Sequence, residues 1–321
     1  MPPRRILVVK LSAIGDCLHG SAVAQALRQG FPDAHIGWVI HNHCSQIIVG
    51  NPYLDKVHLW DRKKHWKTLG ALRQELRAEN YDTVLDIQGL FKSGLVSWLS
   101  GAKQRFGPEE AREKAQLFYT HKCKDHPEMH VVNHLLARAA EVGATWDEPP
   151  NMYLPLQDPD REKAGKLLDE WGYDGSRRLV TINPSAGWPE KQWAPAKFGE
   201  LALRLYNDFN MQPIVTGADF DRHLADPILA ACPMAYDAVG KTSLVGLGAL
   251  LERCVLFVGG DTGPMHMAQA VGSRVIALFG PTHPDRLGPR DLVRHRRIYT
   301  PPDIQQITVD QVVETVREMG F

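Results

Sequence analysis

The chain has 321 residues, with 37 Lys+Arg balanced by 37 Asp+Glu and 44% hydrophobic positions. That length allows about two domains with a sizeable core, and the composition excludes a disordered chain. A zero net charge argues against bulk nucleic-acid binding, which needs a basic excess, so no nucleic-acid partner is expected. The five cysteines, at 17, 44, 123, 232 and 254, are odd in number and scattered. That pattern argues against a disulfide framework or a zinc site and fits a reducing cytosol. The apolar stretch after Met1-Pro2-Pro3-Arg4-Arg5 is shorter than the core of a signal peptide. No run approaches the ~20 apolar residues of a membrane span. The expectation is a cytoplasmic protein that reaches any lipid substrate from the surface.

Apolar β-rich runs alternate with segments of helical period along the chain. Ile6 to Val9 reads as a buried strand, because its apolar residues run without alternation. Ser21 to Gln29 reads as a helix stopped by Gly30 and Pro32. Strands are expected at Ile36 to Ile40, Val57 to Trp60 and Thr83 to Ile87. Helices are expected at Leu69 to Leu76, Gly94 to Leu99 and Val131 to Val142. Asp147 to Asp160 then carries four prolines, and Asp158-Pro159-Asp160 within it reads as a turn. This stretch is the expected boundary between a first domain, 1–155, and a second, 156–321. The pattern restarts with strands at Leu179 to Ile182, Pro213 to Thr216, Val255 to Val258 and Val275 to Phe279. Helices fall at Phe198 to Leu205, Leu244 to Leu251 and Met265 to Val271, and an amphipathic helix closes the chain from Val309 to Met319. The fold class expected is α/β: two doubly wound, Rossmann-like parallel-sheet domains facing a central cleft.

Ligands of open α/β sheets sit beyond the carboxyl ends of the strands, so the strand-to-helix turns carry the functional reading. The first turn, Lys10 to Asp16, has one glycine and lacks the G-x-G-x-x-G dinucleotide fingerprint, which disfavours a dehydrogenase. Asp16 reads either as a general base or as a helix N-cap. The turn Val258 to His266 leads a buried strand into a helix, where Gly263 permits close approach and the helix N-terminus suits a diphosphate. Asp261 there suits sugar hydroxyls, and a capped tight turn is the competing reading. The turn Asn183 to Trp193 offers Lys191 as a point charge for phosphate, or as an ordinary surface lysine. Asp219-Phe220-Asp221 reads as a ribose contact or a solvated turn in preference to a metal pair. His41 and His43 read as polar loop residues. The basic run Lys63-Lys64-His65-Trp66-Lys67 reads as a solvated face, or as a contact with an anionic membrane or acidic acceptor.

Taken together, these turns resemble the ADP-heptose:lipopolysaccharide heptosyltransferases of glycosyltransferase family 9. The resemblance spans nearly the whole chain and rests on KLSAIGDCLH (Lys10 to His19), DIQGLFKS (Asp86 to Ser93), AREKAQLFY (Ala111 to Tyr119), GGDTGPMHMAQA (Gly259 to Ala270) and FGPT (Phe279 to Thr282). The second and third stretches look closest to heptosyltransferase I; the D-T-G motif is shared across the family.

The resemblance implies a GT-B fold, with the acceptor held by the first domain, the nucleotide-sugar by the second, and the last helix, about 308–320, returning to the first domain. It implies inverting, metal-independent transfer of a heptose from ADP-heptose to the Kdo–lipid A inner core, at the inner face of the inner membrane and without a cofactor. It makes Asp16 the base and Lys191 the cation that neutralises the leaving diphosphate. Donor contacts would come from Ser185, Ala186, Asp219, Thr242, Asp261, Thr262, Gly263 and His266. Acceptor contacts would come from Ser12, Ala13, Gly15 and Arg112, whose guanidinium suits a carboxylate. Two departures stand out. Ser185-Ala186 replaces two hydroxyl residues, and Lys241-Thr242 falls where an apolar adenine contact is expected. A heptosyltransferase II or III, or a sugar-nucleotide epimerase or hydrolase on the same fold, is the alternative.

Overall fold

The computed structural model describes residues 2–61 and 65–321, which form two compact units, 1–155 and 156–321. The first unit begins with β1 (Arg5–Val9), α1 (Ile14–Gly30) and β2 (His35–His41). It continues through β3 (Lys56–Trp60), α2 (His65–Ala78), β4 (Thr83–Asp86) and α3 (Phe91–Leu99), and ends with β5 (Gln104–Pro108), β6 (His121–Cys123) and α4 (Val131–Glu141). Its sheet is parallel, in the order β3-β2-β1-β4-β5-β6. The strands at its centre are sealed on both faces, as parallel strands under crossover helices must be: Ile6 to Val9, Val84 and Leu85 are fully buried.

In the second unit α5 (Asp158–Glu170) precedes β7 (Arg178–Asn183), α6 (Pro195–Asp208), β8 (Met211–Val215), α7 (Arg222–Ala231) and β9 (Tyr236–Asp237). Then come α8 (Leu244–Glu252), β10 (Leu256–Gly260), α9 (Gly263–Ala270), β11 (Arg274–Phe279), α10 (Pro284–Leu287), β12 (Arg296–Tyr299) and α11 (Val309–Glu318). The parallel order is β12-β11-β10-β7-β8-β9. Counted within the unit, that is again 3-2-1-4-5-6, the doubly wound dinucleotide-fold order. Each sheet therefore reverses its winding at one point: between β1 and β4, and between β7 and β10.

Two expectations change. Asp158-Pro159-Asp160 is the first turn of α5, where Pro and acidic residues are favoured, and Asp160 accepts the Gln157 N–H at 3.2 Å. The last helix, expected to return to the first domain, packs within the second unit. Its apolar face, Val309, Val312, Val313 and Val316, lies in the second unit's own core beside Phe198, Leu201 and Leu205 of α6. Full burial of each such side chain contributes about 1.5–3 kcal/mol, which fixes the helix where its stripe finds apolar partners. Lys63 and Lys64 of the basic run lie outside the described residues, and Lys67 is exposed. No described helix is long and apolar enough to cross a membrane. All five cysteines are buried, and none is in a disulfide among the described residues.

Candidate active site

Both winding reversals carry residues singled out by sequence. In the first unit, the backbone leaves β1 through Lys10 and Leu11 and enters α1 at Ile14. Asp16 is not the N-cap but the third residue of the helix, and its Oδ2 accepts the Ala13 N–H at 3.4 Å. The same oxygen lies 3.7 Å from Lys10 Nζ, whose side chain is buried, whereas the Asp16 side chain is 55% exposed. Its other oxygen has no hydrogen-bond partner among the described residues. One oxygen is thus held and the other is unengaged. Gly15 has nothing within 4 Å of where a Cβ would stand, so the turn leaves open space beside Asp16. Ser12 is half-buried, and Ala13 is exposed. Arg112 is also exposed, and its backbone N–H donates to Gly89 O at 3.0 Å, in the turn after β4.

In the second unit, the turns after β7 and β10 flank a cavity of about 600 Å³. Ser185, Ala186, Thr242 and Thr262, read from the sequence as donor contacts, line it. Asn183, Phe220, Leu244 and Leu247 line it too and were not singled out. Leu244 and Leu247 supply the apolar wall that Lys241-Thr242 seemed to lack. Ser185 Oγ and Asn183 Oδ1 are buried and make no hydrogen bond among the described residues. Buried polar atoms are nearly always paired, so two orphans on one cavity wall point to a polar guest.

Beside this wall, Lys191 Nζ and Asp261 Oδ2 form an ion pair at 2.9 Å, with side chains 13% and 6% exposed. Lys191 also lies 4.9 Å from the Trp188 ring centroid. Buried His266 places Nε2 3.8 Å from Asp261 Oδ1. Thr262 is the N-cap of α9 but makes no side-chain cap bond, and Gly263 faces open space. The helix start is therefore unblocked on the side where an anion would sit. The lysine turn is anchored from the far end of the chain: Trp193 Nε1 donates to Ile307 O at 2.9 Å, and Gln305 Nε2 donates to Gln192 O at 2.6 Å.

Asp219, read from the sequence as a ribose contact, is exposed, packs against Gly240 and is not among the residues lining this cavity. Asp221 does line it, and its Oδ2 accepts the Ala218 N–H at 2.8 Å. Among the described residues, no group of three His, Cys, Asp or Glu is arranged to hold a metal ion.

An apolar-walled cavity with an orphaned hydroxyl and an orphaned amide oxygen thus lies at the reversal of a doubly wound sheet, the place where open α/β sheets bind ligands. The family model for glycosyltransferase family 9 (heptosyltransferase) matches residues 69–298, and the chain belongs to that family. It is therefore a glycosyltransferase, and its two Rossmann-ordered units are those of the GT-B fold. The lipopolysaccharide core heptosyltransferase OpsX of Haemophilus influenzae is 27% identical over 89% of this chain and 82% of its own length. Lipopolysaccharide heptosyltransferase 1 of Escherichia coli K12 is 29% identical over 88% of this chain and 90% of its own. The solved structure of the E. coli heptosyltransferase WaaC with ADP superposes with a TM-score of 0.75 and 26% identity, covering 98% of this chain and 97% of that one.

Proposed function

We propose that the chain transfers a heptose from ADP-heptose to the Kdo–lipid A inner core of lipopolysaccharide, with inversion at the anomeric carbon, on the inner surface of the inner membrane. The supporting observation is the second unit's cavity, whose unpaired Ser185 Oγ stands in one wall near the Lys191–Asp261 pair. An ADP-sugar fits those features: an apolar wall for the base, the unpaired Ser185 hydroxyl and a helix start for the diphosphate, and Asp261 for sugar hydroxyls. Both relatives named above are lipopolysaccharide heptosyltransferases, and the third is held with ADP. The DIQGLFKS and AREKAQLFY stretches favour the first heptose addition over later ones.

In this reading the free oxygen of Asp16 takes the proton of the acceptor hydroxyl as that oxygen attacks the anomeric carbon. The carbon–phosphate oxygen bond breaks through an oxocarbenium-like state, and its electron pair leaves on ADP. Lys191 and the start of α9 stabilise the charge that develops on the diphosphate. Arg112 holds the anionic acceptor. No metal takes part in the proposed steps.

The test is ADP release from ADP-heptose, with and without Kdo–lipid A. Acceptor-dependent release that falls about 100-fold or more in Asp16→Ala is expected. Equal release without acceptor would replace transfer by hydrolysis.

A further inference from the structure

Three loops of the first unit meet at the carboxyl end of β4. Asp86, the last residue of that strand, is fully buried. Its carboxylate accepts the Gln88 N–H at 2.8 Å, the Gly89 N–H at 3.1 Å and the Tyr119 O–H at 2.7 Å. The phenol is itself confined, because any side chain at Gly107 would collide with its ring. Gly89 has φ +74°, a conformation that an L side chain rarely adopts.

The turn fixed in this way makes contacts on two sides. Gln88 Oε1 accepts the backbone N–H of Leu11 at 3.2 Å and of Ser12 at 3.3 Å. Gly89 O accepts the Arg112 N–H at 3.0 Å, and Arg112 O accepts the Ala115 N–H at 3.0 Å. The backbone leading to Asp16 and the backbone carrying Arg112 are therefore tied to one buried carboxylate. They come from three separate stretches of sequence, which nothing in their spacing links.

We infer that Asp86, Gln88 and Tyr119 are positioning residues of the acceptor side, setting the Asp16 turn and the Arg112 loop relative to each other. The inference rests on the acceptor-side reading of Asp16 and Arg112. Gln88 suits the task because a neutral amide oxygen can accept two N–H groups, and those two donors fix which way the amide lies. A carboxylate that accepts three donors is satisfied in the interior and resists displacement, so the turn it holds is rigid. Transfer chemistry rewards such rigidity, since small misplacements of a reacting group cost large factors in rate.

The experiment compares the unsubstituted chain with Gln88→Met and Gln88→Glu by residue-resolved amide hydrogen exchange and by transfer kinetics. Met keeps the length and loses the acceptor oxygen; Glu keeps an oxygen in its place. In Gln88→Met, the Leu11 and Ser12 amides should exchange about 10-fold faster, as for loss of one hydrogen bond, with the second unit unchanged. Transfer kcat should fall about 10-fold or more, while the donor KM stays within about 2-fold. Gln88→Glu should restore the exchange protection and most of kcat.

Unchanged exchange in Gln88→Met would overturn the assignment, and so would faster exchange with unaltered kcat. A donor KM that rises as kcat falls would also overturn it, by showing general damage. If the unsubstituted chain transfers no heptose yet Gln88→Met loses the protection, the heptose reading fails and the relay of hydrogen bonds stands. If neither transfer nor the difference in protection is seen, both fail.

Discussion

Each sheet carries a buried carboxylate at the end of its fourth strand, Asp86 in the first unit and Asp261 in the second, but their partners differ in kind. Asp86 is held by two backbone N–H groups and a phenol, all neutral donors fixed to the fold. Asp261 is held by the Lys191 ammonium at 2.9 Å, on a side chain that pivots about a flexible stem. Neutral, immobile donors make a permanent joint, which suits a residue that only positions others. A mobile cation makes an exchangeable joint: a diphosphate can compete with the carboxylate for the lysine, and the freed carboxylate can then accept sugar hydroxyls. If the proposed donor site is right, the same topological position serves as a brace in one unit and a latch in the other.

The largest effect is expected where the latch loses its cation. Lys191→Ala leaves Asp261 buried and unpaired and removes the charge that meets the leaving diphosphate. Transfer should fall by about 100- to 1,000-fold, the range for losing one electrostatic stabiliser of a developing anion. ADP affinity, measured by calorimetry, should fall with it. Asp261→Asn tests the latch from the other side. It keeps an oxygen for Lys191 Nζ but removes the negative charge that competes with phosphate. ADP should bind several-fold tighter, about 1 kcal/mol, while transfer declines. If ADP binds more weakly to Asp261→Asn, the pair serves to preorganise the lysine and the exchange idea is wrong.

The brace predicts a different response. Burial pushes the Asp86 carboxyl up, although the Tyr119 hydroxyl, Ser93 and the Gly89 and Gln88 N–H groups pull it down. The folded state therefore holds that proton more tightly than the unfolded chain. Stability from this group is fully present below the unfolded value, near 3.9, and is lost as pH rises through the higher folded value. Asp86→Asn removes that dependence. Because its amide turns one oxygen into a donor that faces other donors, it should also cost about 1–3 kcal/mol at neutral pH. Denaturant unfolding of both proteins across the acid range checks the sign. A difference between them that does not narrow from acid to neutral pH would show that the folded state does not hold this proton more tightly than the unfolded chain. ADP affinity should be unchanged, in contrast to the Asp261 variant.

How far these features were legible in the sequence follows from where their determinants lie. The inner strands announced themselves because both faces are covered and every residue is apolar, as in Ile6 to Val9. The strands β5, β6 and β12 did not, since Arg105, Lys122 and the Arg296-Arg297 pair break the apolar run. The helix α7 was hidden by its internal Pro227. The turns carrying Asp16, Lys191 and Asp261 were visible because they follow legible strands directly. Leu244 and Leu247 were read only as helix, because a cavity wall assembled from non-adjacent elements has no local signature. Asp219 was singled out by the resemblance, whereas Asp221, whose carboxylate accepts the Ala218 N–H, is the one of the pair that lines the cavity. The role argued for Asp86 had no spacing to betray it, since its partners lie 2, 3 and 33 positions away.

The smallest expected effect separates binding from stability at a single atom. Ser185 Oγ is buried without a partner, so the empty protein bears the cost of desolvating a hydroxyl and gains no hydrogen bond in return. Ser185→Ala removes that cost. The altered chain should be as stable as the original or more stable, by about 0.5–1 kcal/mol, with the melting temperature moving up or staying put. The same substitution should weaken ADP about 5- to 10-fold, because the phosphate loses a donor placed for it. A structural hydroxyl moves both quantities down together, and a solvated one moves neither. Opposite signs are the signature of a group kept unsatisfied for a ligand. Asn183 is less suited to the test, because its Nδ2 already donates to Thr216 O and Oγ1 at 3.2 and 3.1 Å, so replacing it would damage the fold along with the site.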